Sequence, residues 1–267
     1  MTEVSYRTWR VPKKNGRYRL VSEPTTALKA EQHSILQALS LYDLHDSAHG
    51  FVVGRSPLTN ARPHLSKRFV LNVDIADFFP SITSSRLLPI LSSFLAPPLL
   101  QRIEAFCFYN GTLPQGAPTS PALANLFLIE LDHQVEGFAA SHSLDYTRYA
   151  DDITLSSSCD FLKARRKMVI TFLRSILANY GLSLNPKKTK LMPYYQRQMV
   201  TGILVNNAQP ALPRHFKEAL YLQFKGRTFS DLSDSELGQL YFVRSISLRS
   251  YLKILKGVLD VPDEKLL

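Results

Sequence analysis

Tyr149-Ala150-Asp151-Asp152 places two adjacent carboxylates behind an aromatic ring and between two apolar runs. Successive side chains on a strand point to opposite faces, so neighbouring acids can aim at one point only where a tight turn breaks the alternation. An Asp-Asp pair in a hairpin also reads as an ordinary solvated turn. A third acid upstream weighs against that reading, because Asp74 interrupts the apolar, β-branched run Phe69-Val70-Leu71-Asn72-Val73-Asp74-Ile75. A carboxylate in such a run is costly to bury unless it is paired or bound to metal. Two Mg²⁺ ions on three carboxylates, with ligand positions left for water and phosphate oxygens, would activate a hydroxyl nucleophile and stabilise a leaving pyrophosphate. Asp74, Asp151 and Asp152 are therefore the candidate metal ligands and catalytic residues. Asp77 reads as a helix N-cap or first-turn acid and is set aside.

The elements that must position these acids follow from local pattern. Leu144 to Arg148 reads as a strand in and Ile153 to Ser156 as a strand out. Leu113 to Pro121 holds three prolines and a glycine, which bars regular structure and lets backbone approach a ligand closely. A helix follows from Ala122, with Ser120 as its cap and Pro121 at its first position. Near the N-terminus, Val11 to Val21 reads as a β-hairpin turning at Asn15-Gly16, with basic residues on both arms. A helix is expected from Leu28 to about Leu41, with Leu28, Ile35, Leu36 and Leu39 on one face. Further helices are expected after Ser84, Pro121 and Phe161. Towards the C-terminus Phe216, Leu220, Leu222 and Phe224, then Leu237, Leu240, Tyr241 and Ile246, give helix-spaced apolar positions. Asp231, Ser233 and Asp234 offer a cap between those helices.

From about Arg10 to about Asn207 the order of these segments resembles that of a reverse transcriptase, and within that family a bacterial retron reverse transcriptase. Val73 to Phe79 is similar to the family's first palm motif, Leu113 to Pro121 to the second and Tyr149 to Asp152 to the third. Gly181 to Asn185 with Lys187, Lys188 and Lys190 resembles the fourth, and Val200 to Val205 the primer-grip hairpin. Asn60-Ala61-Arg62-Pro63-His64 and the Val200-Thr201-Gly202 triplet resemble retron marks. The resemblance implies an α+β right-hand polymerase: fingers over 1–68, a palm of antiparallel sheet backed by helices over 69–207, and a small helical thumb over 208–267.

The same resemblance implies roles. The Ile75 backbone carbonyl would join the three carboxylates on the two Mg²⁺ ions. Phe79 would pack under the incoming sugar and exclude a 2′ hydroxyl, although a core phenylalanine would look the same. Gln115 would touch the incoming nucleotide, and Gly116 would let the base pair lie against backbone. Arg19 first and Lys14 second would grip the triphosphate. Among the three lysines, Lys188 is the first candidate for the general acid that protonates pyrophosphate. Asn60, His64, Thr201 and Gly202 would hold RNA or primer.

Composition points to the same kind of partner. Lys and Arg number 32 against 22 Asp and Glu, a formal charge of +10. Residues 160–227 carry 13 Lys or Arg against 2 Asp or Glu, so the excess is concentrated where a template–primer duplex would track past the palm. No run of about 18 apolar residues suggests a membrane span, and the N-terminus does not read as a signal peptide, so a cytoplasmic protein is expected. Cys107 and Cys159 fit no zinc pattern and read as free thiols. The fingers would start almost at Met1, the thumb would be short, and no ribonuclease H domain is expected. The leading expectation is an RNA-directed DNA polymerase that uses dNTPs and copies part of a structured noncoding RNA into a short single-stranded DNA, RNA-linked, in antiphage defence beside an effector protein. Two alternatives remain: another bacterial reverse transcriptase, defence-associated or intron-type, or an RNA, DNA and protein scaffold that restrains the effector.

Overall fold

The computed structural model describes residues 5–12, 16, 18–257 and 259–260. Eight strands matter for the site: β1 (Tyr6–Pro12), β2 (Tyr18–Pro24), β3 (Phe69–Asp74), β4 (Asp145–Tyr149), β5 (Asp152–Ser157), β6 (Lys190–Pro193), β7 (Met199–Val200) and β8 (Ile203–Leu204). β3 to β6 form one antiparallel sheet in the order β4-β5-β3-β6.

The two faces of this sheet differ because side chains alternate. Leu71 and Val73 of β3 with Ile153 and Leu155 of β5 are buried in the main core. That core is closed by Leu123, Leu126 and Phe127 of the helix Ser120–Phe127, by Leu131 and Val135 of the helix Ile129–Ser141, and by Leu173 and Leu177 of the helix Arg166–Asn179. The opposite face carries Asn72 and Asp74 on β3 and Asp152 and Thr154 on β5. A second, smaller cluster of Val70, Met192, Val200 and Ile203 covers its far end and leaves the acidic end open.

The helix Thr26–Leu39 starts two residues earlier than expected and buries Leu28, Ile35 and Leu39, the last two in the main core. The β1–β2 hairpin is antiparallel, with Pro12↔Tyr18 among its described pairs, and Asn15 of the expected Asn-Gly turn lies outside the described residues. The helix Ser120–Phe127 is capped one residue earlier than expected, with Thr119 at the N-cap position, while the Ser120 hydroxyl donates to the Pro114 carbonyl at 2.7 Å.

C-terminal helices span Arg214–Phe224, Asp234–Ile246 and Leu248–Gly257 and share a core of Leu220, Phe224, Leu240, Val243 and Ile254. Leu222 and Tyr241, expected among the helix-spaced apolar positions, are exposed, because the buried stripes run through Leu220 and Phe224, four apart, and Leu240 and Val243, three apart. Ser233 caps the second of these helices in a reciprocal box with Glu236. Among the described residues no helix is long and apolar enough to cross a membrane. Both cysteines are free thiols.

Candidate active site

The β4–β5 turn and β3 bring the three acids together. Asp74 pairs directly with Asp152 across the β3–β5 ladder, and Tyr149 pairs with Asp152 across β4–β5. Ala150, between them, has φ of 55°, the left-handed conformation that turns the chain and breaks the alternation of faces. Ile75 N–H donates to the Asp151 carbonyl at 2.9 Å, which keeps the Ile75 carbonyl on the Asp151 side of its strand.

The acids feel one another. Crowding by protein, then the Asp151 and Asp74 charges, pushes the Asp152 carboxyl up to about 6. Asp151 is raised by burial and by Asp74, and it is held down in part by Lys188 and Arg19. Like charges gathered so closely favour a cation among them.

Asp74 is buried and fully engaged. Lys188 donates to its Oδ1 and Asn185 Nδ2 to its Oδ2 at 3.1 Å. The hydrogen bond to Asp74 raises the Lys188 ammonium above its ordinary range. Among the described residues, no three acidic, histidine or cysteine side chains already converge as a cation cage. The donor chemistry nonetheless fits a hard divalent ion, since three carboxylates and a backbone carbonyl are an all-oxygen set. The ammonium on Asp74 marks the same preference for positive charge.

Around this centre the other expected residues fall into three groups. Some keep exposed or half-exposed surface. Arg19 is exposed on β2, and its charge reaches Asp151. Phe78 takes the core position and leaves Phe79 half-exposed, with the ring centroids 5.1 Å apart. Gln115 is half-exposed, and its carbonyl accepts from Ser22 N–H at 2.7 Å, which joins the loop to the arm that carries Arg19. Thr201 (φ 46°) and Gly202 (φ 83°) form the left-handed turn between β7 and β8. An open groove of about 260 Å³ runs from Asp152 past Asn72, Thr154 and Met199 to that turn.

Others have a different role from the expected one. His64 is buried, with Nδ1 2.7 Å from the Ser156 hydroxyl and Nε2 2.8 Å from the Thr147 hydroxyl. It satisfies two hydroxyls on the sheet face and offers no atom to RNA. Asn60 is equally buried and reaches Thr201 Oγ1 at 3.5 Å, so it too is a structural residue rather than a contact. Thr201 Oγ1 donates to the Pro57 carbonyl, so its hydroxyl holds the turn instead of a primer. Gly116 has φ of 122°, and a Cβ there would lie 2.9 Å from the Ser22 carbonyl oxygen, so close packing on β2 already requires glycine. Asp77, by contrast, sits as expected at the N-cap position, that of the short helix Phe78–Ser81, with a left-handed backbone.

Finally, Lys14 lies outside the described residues. Asn72, Thr154 and Asn185 were not anticipated as site residues. The period-two alternation that puts Asn72 beside Asp74, and Thr154 beside Asp152, carried the signal for the first two.

An antiparallel sheet backed by helices, with acids at one open end, is the form of a polymerase palm. The family model for reverse transcriptase (RNA-dependent DNA polymerase) matches residues 11–217. The chain belongs to the reverse transcriptase family. Within it, the chain is 36% identical over 264 residues to the Retron Ec86 reverse transcriptase of Escherichia coli, covering 95% of this chain and 80% of that one. It is 33% identical over 262 residues to the Retron Mx162 reverse transcriptase of Myxococcus xanthus, covering 85% of this chain and 54% of that one. Among solved structures it is similar to telomerase from Candida albicans in complex with a fragment of telomeric RNA, with a TM-score of 0.59 at 11% identity. That match covers 95% of this chain and 56% of the telomerase chain. A foamy viral protease-reverse transcriptase in complex with double-stranded DNA matches with a TM-score of 0.53 at 18% identity, over 99% of this chain and 42% of that one. These likenesses show the fold, and this chain spans about half the length of those two.

Proposed function

We propose that this chain copies part of a dedicated structured noncoding RNA into a short single-stranded DNA, using Asp74, Asp151, Asp152 and the Ile75 carbonyl to hold two Mg²⁺ ions. The observation that carries this reading is the direct pairing of Asp74 with Asp152 beside the left-handed Ala150 turn. When bound, the ions would lower the pKa of the attacking hydroxyl and neutralise charge on the leaving pyrophosphate.

The chain's own residues do the rest. Arg19 holds the triphosphate from the fingers side, and Gln115 bounds the nucleotide from the loop tied to that arm. Phe79 closes the space under the sugar, which selects dNTPs over ribonucleotides. Lys188, whose ammonium lies on Asp74, is the residue that would donate a proton to pyrophosphate. The β7–β8 turn, with Gly202 at its exposed tip, borders the groove along which the primer strand leaves Asp152. Residues 1–68, 69–207 and 208–267 act as fingers, palm and thumb.

The identity to retron enzymes supports a cognate RNA as both template and primer, with a branched, RNA-linked product that serves antiphage defence beside an effector protein. Expression of the gene with its native flanking DNA, beside an Asp151→Asn/Asp152→Asn twin, tests this. The expected result is a small DNA, present only in the wild type, that survives alkali and changes mobility after RNase. If purified protein extends a primer on generic RNA but no such DNA forms, the polymerase reading survives and the retron product is ruled out.

A further inference from the structure

The strand that leads into the catalytic turn buries a guanidinium. Tyr146 and Arg148 of β4 point to the helix-backed face of the sheet, where Ile153 and Leu155 beside them are apolar core. Arg148 has 0% exposure. Its charge is met by Asp132 of the helix Ile129–Ser141, with Nε to Oδ1 at 2.8 Å and Nη2 to Oδ2 at 2.6 Å. The Tyr146 hydroxyl donates to the same carboxylate at 2.6 Å. Replacing such a pair by apolar side chains of similar volume is often neutral or stabilising, so core stability alone does not account for it.

The remaining donor shows what the pair can do. Arg148 Nη1 donates to Asn125 Oδ1 at 3.0 Å and to the Ala150 carbonyl at 3.2 Å. Ala150 is the left-handed residue that turns β4 back and sets Asp151 and Asp152. The other end of Asn125 holds the segment packed against that turn, because its Nδ2 donates to the Gly50 carbonyl at 2.9 Å. Gly50 presses on the turn from outside, where a Cβ would stand 2.4 Å from Ala150 N. Backbone bonds at 2.7 Å from Arg148 N to the Ser47 carbonyl, and from His49 N to the Arg148 carbonyl, fasten that segment to β4. The strained residue is therefore held by a donor behind and a backbone in front.

We propose that Arg148, aligned by Asp132 and Asn125, is a positioning residue that fixes the Ala150 carbonyl so that Asp151 and Asp152 meet Asp74 in cation-binding geometry. This rests on the metal-binding reading of the three acids. Arg148 touches no substrate, and it acts through the shape of the turn.

The test is Mg²⁺ dependence of primer extension on a generic RNA template by the full chain. Arg148→Met/Asp132→Leu/Tyr146→Phe removes both charges and the hydroxyl together. The variant should melt near the wild type and bind template–primer with unchanged affinity. Its half-saturating Mg²⁺ should rise, and its turnover fall, by about tenfold each, the size expected when support behind a metal ligand is lost. A role in packing alone would leave the Mg²⁺ requirement unmoved, and that result in a folded variant overturns the proposal. If the triple variant does not fold, Gly50→Ala leaves the buried pair intact and pushes on Ala150 directly. It should show the same raised requirement, and a wild-type requirement would again overturn the proposal. Asp151→Asn/Asp152→Asn separates the two readings. Retained extension in it sinks the metal-binding assignment, whereas an inactive Asp variant beside an unaffected Arg148 variant sinks only the positioning role.

Discussion

Two hairpins carry the chemistry proposed for this chain, and they are built in opposite ways. The β4–β5 hairpin is part of a four-stranded sheet, with core on one face and a buried ion pair behind its turn. The β1–β2 hairpin is exposed along almost its whole length. Near its base, Ser22 N bonds to the Gln115 carbonyl and Gln32 Nε2 reaches the Tyr6 hydroxyl at 2.8 Å. One holds two acids to a fixed position, while the other presents a cation from a two-stranded arm with few apolar contacts to lose. Packing is thus concentrated where like charges must be kept together, and the arm proposed to meet each new nucleotide is left free of the core.

The comparison breaks most easily at the acids. Asp74→Asn removes one of three carboxylates, and primer extension should fall by about 10³-fold or more, since several kcal/mol of charge stabilisation is withdrawn and each 1.36 kcal/mol is tenfold. Steady-state extension rates at saturating dNTP measure this. Activity within tenfold of wild type would mean that Asp74 is not a ligand. On the exposed arm, Arg19→Ala should raise the KM for dNTP by about ten- to a hundredfold, the worth of one or two charge-assisted hydrogen bonds, with a smaller change in kcat. An equal fall in kcat at unchanged KM would place Arg19 in the rigid half of the comparison.

Smaller effects sharpen the contrast. Phe79→Ala should reduce discrimination against ribonucleotides by about tenfold or more, read as the ratio of kcat/KM for dNTP and rNTP. The smallest is a stability effect on the buried side. Burial pushes the His64 imidazole down to about 3, below the ordinary value of 6.5. Between those values the unfolded chain binds a proton that the folded chain does not. The stability that neutral His64 contributes is fully present above pH 6.5 and is lost as pH falls towards 3, by up to about 1.4 kcal/mol per pH unit. His64→Gln should flatten that slope in urea denaturation at pH 7, 6 and 5. An unchanged slope would show that His64 is not the group responsible.

The acids were legible in the sequence because of where they fell together: Asp74 broke an apolar strand, and Asp151-Asp152, which alone could be a solvated turn, sat in a hairpin between two apolar runs. Alternation along β3 and β5 also announced which face would hold them. What covers a face was not legible. Asn60 and His64 precede the strand in a polar stretch, and polar loop residues are usually exposed. Only the fold shows that the short helix Pro57–Ala61 and the turn after it lie over Thr147 and Ser156. Arg148 was invisible for the same reason. Its partner Asp132 lies on a helix 16 residues earlier, and period-two alternation names a face without naming what packs on it. Gly116 was read towards a ligand, but the neighbour that requires glycine is β2, a contact between distant segments.

The most direct measurement is cation binding by the protein assembled with an RNA template, a DNA primer and a non-hydrolysable dNTP, with Mn²⁺ titrated and followed by electron paramagnetic resonance. The account predicts two tightly bound ions in the wild type and loss of tight binding in Asp74→Asn and in Asp151→Asn/Asp152→Asn. Equal stoichiometry and affinity in all three proteins would contradict it.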